Sequence, residues 1–120
     1  MLLSDLGSIG ALPEERINAQ VSRRIANGKN AMIVWWKMKP GASVAPHAHP
    51  HEQIVWVLSG KMEIRIGDKR HVCGPGDFLL IPSGIEHEGV VLEDTEVVDI
   101  FSPPREDFLA GQMPSYMSRK

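Results

Sequence analysis

Gln53-Ile54-Val55-Trp56-Val57-Leu58-Ser59-Gly60-Lys61-Met62-Glu63-Ile64-Arg65-Ile66-Gly67-Asp68-Lys69-Arg70-His71-Val72-Cys73 decides the fold. It divides into three strand-like runs, Gln53 to Leu58, Lys61 to Ile66 and Lys69 to Cys73, separated only by Ser59-Gly60 and Gly67-Asp68. Connections this short carry turn chemistry and leave no room for a crossover helix, so parallel α/β folds are disfavoured. Consecutive strands are expected to be hairpin neighbours in an antiparallel sheet.

The same punctuation extends in both directions. Downstream, Asp77 to Ile81, Glu86 to Leu92 and Glu96 to Phe101 are bounded by Gly74-Pro75-Gly76, Pro82-Ser83-Gly84 and Glu93-Asp94. Upstream, Ala31 to Met38 is a β-branched and aromatic run between Asn27-Gly28 and Pro40-Gly41. Before it, Arg16 to Ile25 places Ile17, Val21 and Ile25 among polar neighbours, which predicts an early strand after a leader from Leu2 to Glu15. Only Arg105 to Gln112, with Pro103-Pro104 before it and Pro114 after it, reads as helix. The expectation is an all-β chain: one domain over 1–120, a single antiparallel β-barrel or jelly roll with a core over about 29–102. An N-terminal strand at 16–25 and a C-terminal tail at 103–120 with a short helix complete it. There is no internal repeat or low-complexity segment.

A chain of 120 residues buries roughly two thirds of the surface it exposes unfolded, so it has a true core. Thirteen basic residues are dispersed among 15 acidic ones, for a formal charge of -2, and offer no continuous footprint to a nucleic-acid backbone. No apolar run is long enough to span a bilayer, and Met1 to Gly7 lacks the pattern of a signal peptide, so no membrane partner and a cytoplasmic location are expected. Cys73 is the only cysteine. It excludes an intrachain disulfide and a thiolate cluster, and reads as a small apolar strand residue.

Four of the five histidines fall in two turn-rich stretches, Gly41 to Gln53 and Gly76 to His87. His47 and His49 are separated by one residue, so on an extended chain both imidazoles point to one face and can reach one ion. Gln53 lies four residues further on, in phase if the chain stays extended, and His87 begins a later strand that a barrel could bring opposite. Neutral imidazoles with an oxygen donor suit Zn, Fe, Ni, Cu or Mn and leave positions open for substrate. His51 is expected behind these residues or at the surface, Glu52 in solvent, and His71 on an exposed strand face. Glu106 and Asp107 suit the first turn of the tail helix, where they complement its dipole.

These stretches resemble the paired motifs of the cupin superfamily. The first runs Gly41, five residues, His47-x-His49, a short gap to Gln53, then six residues to Gly60; the second runs Gly76, five residues, Pro82-x-Gly84-x-x-His87. Gln53 stands where many cupins place glutamate, and Val91 where the second motif usually has asparagine. A glutamine makes the site less negative, so it holds a cation less tightly and leaves it a stronger Lewis acid. Together with Val98-Asp99-Ile100-Phe101-Ser102-Pro103-Pro104-Arg105, the glutamine-bearing motif resembles the small pectin-degradation cupins that linearise unsaturated uronates. The resemblance implies His47, His49, Gln53 and His87 as ligands of one divalent transition metal (Zn, Ni, Fe or Mn), with orienting a water as the alternative role for Gln53. It further implies Asp99, Phe101 and Arg105 as the working group beside the metal, acting on a sugar acid. An acidic residue between apolar neighbours on an inward strand face is costly unless it works or is paired, and Arg105 suits a carboxylate clamp. A structural Asp99–Arg105 ion pair is the plain alternative.

The function expected is therefore a metal-dependent conversion of a cyclic 4,5-unsaturated uronate to its linear keto form. An iron-dependent dioxygenase, and a cupin that binds a metal or small molecule without turnover, are the alternatives. A homodimer is expected in which the strand Arg16 to Ile25, or its face, is covered by the partner, because an exposed edge strand invites pairing.

Overall fold

The structure, a computed structural model, describes residues 6–111 and 116–117. The first residues of the expected leader and parts of the expected tail, 112–115 and 118–120, lie outside the described residues. A short 3-10 turn, Ile9–Ala11, precedes ten strands: β1 Glu15–Asn18, β2 Val21–Asn27, β3 Met32–Met38, β4 Ser43–His47, β5 Glu52–Ser59, β6 Met62–Ile66, β7 Lys69–Cys73, β8 Phe78–Ile81, β9 His87–Val91 and β10 Thr95–Ser102. One helical turn, α1 Glu106–Leu109, follows. The expected all-β, antiparallel jelly roll is the fold observed. One sheet has the order β1-β2-β3-β10-β5-β8 and the other β4-β9-β6-β7.

The connectivity differs from the expected run of hairpins. Only β1–β2, β2–β3 and β6–β7 pair with a sequence neighbour; β5 pairs with β8 and β10, and β9 with β4 and β6. Short turns between the remaining strands carry the chain from one sheet to the other instead of back along the same sheet. A turn read locally cannot distinguish these outcomes, because the partner is chosen by burial of both inner faces. The early strand also divides. The Asn18 side-chain oxygen accepts the Gln20 backbone N–H at 2.8 Å, an Asx turn that folds 16–25 into the β1–β2 hairpin. Consequently β2 is flanked on both sides, and the sheet edges are β1 and β8.

The core lies between the sheets and follows strand alternation. Met32, Val34, Trp36 and Met38 are buried on β3 while Ile33 and Lys37 face out. Val55 and Val57 from β5, Val97 and Phe101 from β10, and Met62 and Ile64 from β6 meet them. Truncating an aromatic such as Trp36 or Phe101 in such a core costs about 3–5 kcal/mol. Cys73 is buried there as a small apolar residue, and its thiol is pushed up by burial. Arg23 is unexpected: its side chain is wholly buried, 3.3 Å from Glu15, with Cζ 4.6 Å from the Phe108 ring centroid. It ties the β1–β2 hairpin to the tail helix. No helix among the described residues is long and apolar enough to cross a membrane.

Gly60 shows why the first motif closes on glycine. Its φ is +89°, and a Cβ there would collide with the Asp94 carbonyl oxygen and the Thr95 hydroxyl. Gly60→Ala is expected to lower stability by about 2–3 kcal/mol, through strain and displacement of the β9–β10 turn. Urea unfolding of the variant beside the parent measures this, and an unchanged midpoint contradicts it.

Candidate metal centre

One end of the sandwich collects residues from both sheets. His47 ends β4 and His87 opens β9, directly opposite it in the ladder, with ring centroids 4.2 Å apart. His49 is not on an extension of β4; it sits in the β4–β5 connection, where its carbonyl accepts the Gly84 N–H at 2.9 Å. The bend replaces the expected in-phase strand, yet the second motif's glycine turn holds this loop against the cluster. Gln53, near the start of β5, pairs with Phe101 across the ladder. The candidate nitrogens of His47, His49 and His87 all lie within 4.8 Å of one another.

Each ring is oriented by its other nitrogen. Nδ1 of His47 lies 2.9 Å from the Ala45 carbonyl, that of His49 3.1 Å from His51, and that of His87 2.9 Å from Ile85. A carbonyl only accepts, so Nδ1 carries the proton in each ring and Nε2 presents a lone pair. Burial foremost keeps the rings neutral: His47 and His49 are both lowered to about 4, and His87 is also lowered. Nε2 of His87 is buried without a hydrogen-bond partner among the described residues.

Gln53 can add an oxygen donor to these nitrogens. Its Oε1 lies 3.0 Å from His49 Nε2, and its side chain is close enough to Asp99 to help hold that carboxyl's pKa down. Two acceptors then face one another in a buried place, an arrangement that a cation between them relieves. Three imidazole lone pairs and one amide oxygen fit a divalent transition metal, with no anionic ligand in the set.

Behind this cluster, Asp99 accepts the Trp36 indole N–H at 2.9 Å. Its carboxyl is raised to about 6 by burial, against the lowering effect of hydrogen bonds from Gln53 and Trp36 and of the Arg105 charge. The alternative Asp99–Arg105 ion pair is not formed. Arg105 instead engages Asp107 with two bonds, Nε to Oδ1 at 3.0 Å and Nη2 to Oδ2 at 2.8 Å. The Arg105 Cζ lies 5.2 Å from the Phe101 ring centroid and 4.2 Å from that of Phe108. Asp99, Phe101, Arg105, His47, Gln53 and His87 thus line one cavity.

Two expectations shift in detail. His51 contributes its carbonyl to orienting His49, and Asp107 grips Arg105 in addition to opening the helix. Sequence reasoning did not foresee two contacts: Trp36, otherwise a candidate cavity-lining residue, donates to Asp99, and the ring of Tyr116 stacks on His47 at 3.8 Å and 13°. The phenol of Tyr116 is raised by burial and so remains protonated. The only available signal was that this is the sole tyrosine, set in a short tail after proline.

The histidines fix the acid response of the metal-free protein. Unfolded histidine takes a proton below about pH 6.5, whereas folded His47 and His49 resist until about 4, so their contribution is present above 6.5 and lost as pH falls through that window. Asp99, raised in the fold, works the other way between about 6 and 3.8. Denaturant unfolding from pH 7 to 4 is expected to show net loss of stability, steeper in Asp99→Asn. At pH 7, saturating Zn²⁺ raises the melting temperature of the parent and not of His87→Ala.

The Cupin domain family matches residues 34–101. The pectin degradation protein KdgF of Dickeya dadantii is 33% identical over 100 residues, spanning 81% of this chain and 91% of that protein. Among solved structures, KdgF from a Halomonas species superposes with a TM-score of 0.76 at 33% identity, covering 80% of this chain and 92% of the other. An RmlC-like cupin from Shewanella frigidimarina gives 0.80 at 27% identity, covering 85% and 93%.

Proposed function

The chain belongs to the cupin-domain family, and from that premise we propose that it is a divalent-metal enzyme of pectin breakdown that opens a cyclic 4,5-unsaturated uronate to its linear keto form. The observation that carries this reading is Asp99 itself: a carboxyl raised to about 6, facing the cavity beside the histidine cluster and hydrogen-bonded by Trp36 and Gln53. Similarity to two proteins named KdgF, one of them a pectin degradation protein, supports the substrate class.

The conversion is an isomerisation, so nothing is added from solvent. The anomeric hydroxyl gives up its proton and the ring C–O bond breaks, leaving a carbonyl at the former anomeric carbon and an enolate at the other end of that bond. The enolate becomes a ketone by taking a proton at the alkene carbon. Asp99, with its pKa set near neutrality, can accept the first proton and return it to carbon. Trp36 and Gln53 aim the carboxyl while it does so. Arg105, clamped by Asp107 through two nitrogens, keeps Nη1 buried and without a partner among the described residues, ready for the substrate carboxylate. Phe101 forms the wall between them. His47, His49, His87 and Gln53 would hold a divalent cation, which would supply Lewis acidity there.

Turnover is followed as loss of the alkene absorbance of unsaturated galacturonate. Asp99→Asn is expected to fall at least about 100-fold while still binding metal, and Arg105→Ala to lose chiefly in KM. Chelation abolishes the reaction and added divalent metal restores it. Parent-like decay in Asp99→Asn contradicts the assignment.

We further propose that two copies pair through the outer face of the six-stranded sheet. Ile33, Trp56, Phe78 and Leu80 are exposed there on β3, β5 and β8, and Trp56 lies opposite Phe78 in the ladder. The outer face of the other sheet instead carries an ion-pair network of Arg65, Arg70, Glu63, Glu86 and Glu88, which suits water. A sheet face of this width offers roughly 600 Å² per copy, enough for a modest specific dimer. Solution scattering is expected to give a dimer that Phe78→Glu converts to monomer; a monomeric parent removes the proposal.

A further inference from the structure

The chain returns to the metal centre at residue 116. The Tyr116 carbonyl accepts the Ala45 N–H at 2.7 Å, and Met117 forms a bridge with Val44, both on the strand that ends in His47. This main-chain attachment lays the Tyr116 ring flat on the His47 imidazole, at 3.8 Å and 13°. A ring in that position limits the rotamers open to His47 independently of its hydroxyl.

Tyr116 also meets Arg105. Cζ of Arg105 is 5.9 Å from the Tyr116 ring centroid, and the phenol lies within hydrogen-bonding reach of the guanidinium. No hydrogen bond of sound geometry joins them at Nη1, which is left without a partner among the described residues. Arg105 is only 5% exposed, and Asp107, Phe101 and Phe108 prevent it from swinging to find one. A buried cationic N–H without an acceptor is costly, so its retention beside a cavity implies an acceptor that arrives with a ligand. A carboxylate has two oxygens and can accept from Nη1 and from a phenol together.

We propose that Tyr116 is a two-faced residue of the site: its ring positions His47 for metal binding, and its hydroxyl joins Nη1 of Arg105 in a two-point clamp for the substrate carboxylate. The carboxylate half rests on the uronate reading given above, whereas the His47 half concerns only this chain and the metal. The two faces separate chemically, because phenylalanine retains the stacked ring and lacks the hydroxyl, while leucine lacks both.

The test measures Zn²⁺ affinity by competition with a chromogenic chelator, binding of saturated galacturonate by calorimetry, and turnover of the unsaturated sugar. Tyr116→Phe is expected to bind Zn²⁺ as the parent does, to bind galacturonate about tenfold more weakly, and to show a rise in KM larger than its fall in kcat. Tyr116→Leu is expected to repeat these losses and to bind Zn²⁺ several-fold more weakly as well. Parent-like galacturonate affinity in Tyr116→Phe overturns the clamp, and parent-like Zn²⁺ affinity in Tyr116→Leu overturns the positioning role. If the parent opens the ring while Tyr116→Phe is unaffected, the clamp fails and the function stands. If the parent neither binds galacturonate nor opens the ring, the function and the clamp fail together, and the zinc comparison still decides the role of the ring.

Discussion

Three imidazole lone pairs turned inward on one buried point constrain everything around them. Each exists because a backbone carbonyl holds the proton on the opposite nitrogen, and those carbonyls belong to Ala45, His51 and Ile85, beside the histidines they orient. Local chain geometry therefore selects the tautomer, and burial keeps the rings neutral. Without a cation the arrangement is unfavourable, since His49 Nε2 and Gln53 Oε1 meet as two acceptors. The fold maintains it because the ladder pairing of β4 with β9, and the Gly84 hydrogen bond to the His49 loop, are satisfied by backbone groups independent of the rings.

Gln53 links this cluster to Asp99. Its amide has two ends, one toward the histidines and one toward Asp99, so replacing it by glutamate would place two carboxyl groups against each other. Glutamine at this position thus has a reason beyond metal affinity. It permits an adjacent buried carboxyl whose pKa is lifted close to neutrality, and the Trp36 indole N–H keeps that carboxyl in place. The histidine cluster and the buried Asp99 carboxyl meet through the Gln53 amide.

A second buried system holds the tail against this chain. Phe108 lies within 4.6 Å of the Arg23 guanidinium carbon and 4.2 Å of that of Arg105, and its ring meets Trp36 edge-on at 6.0 Å. Cation–ring contacts of this kind gain strength where water is excluded. They tie the N-terminal hairpin, the core and α1 together, so a one-turn helix of little intrinsic stability delivers Arg105 to the cavity in a defined pose.

Strand identity was legible in the sequence because glycine and proline turns punctuate β-branched runs: the predicted Lys69 to Cys73 and Asp77 to Ile81 agree with β7 and β8 within a residue. The convergence of His47, His49 and His87 was legible through motif spacing, and the inward placement of Asp99 and Phe101 through alternation on β10. Strand pairing was not, since Ser59-Gly60 closes a hairpin and crosses between sheets equally well until both faces must be buried. The three histidines meet for a different reason from the one expected: a bent loop, not a continuous strand, places His49. Trp36 and Tyr116 escaped because each acts 63 or more residues away in sequence from a partner it touches. What the sequence determined by itself was local, namely turns, alternation and ligand chemistry. The tertiary structure alone decided which donor faces which acceptor, because those contacts form only when two sheets and a returning tail exclude water from the same space.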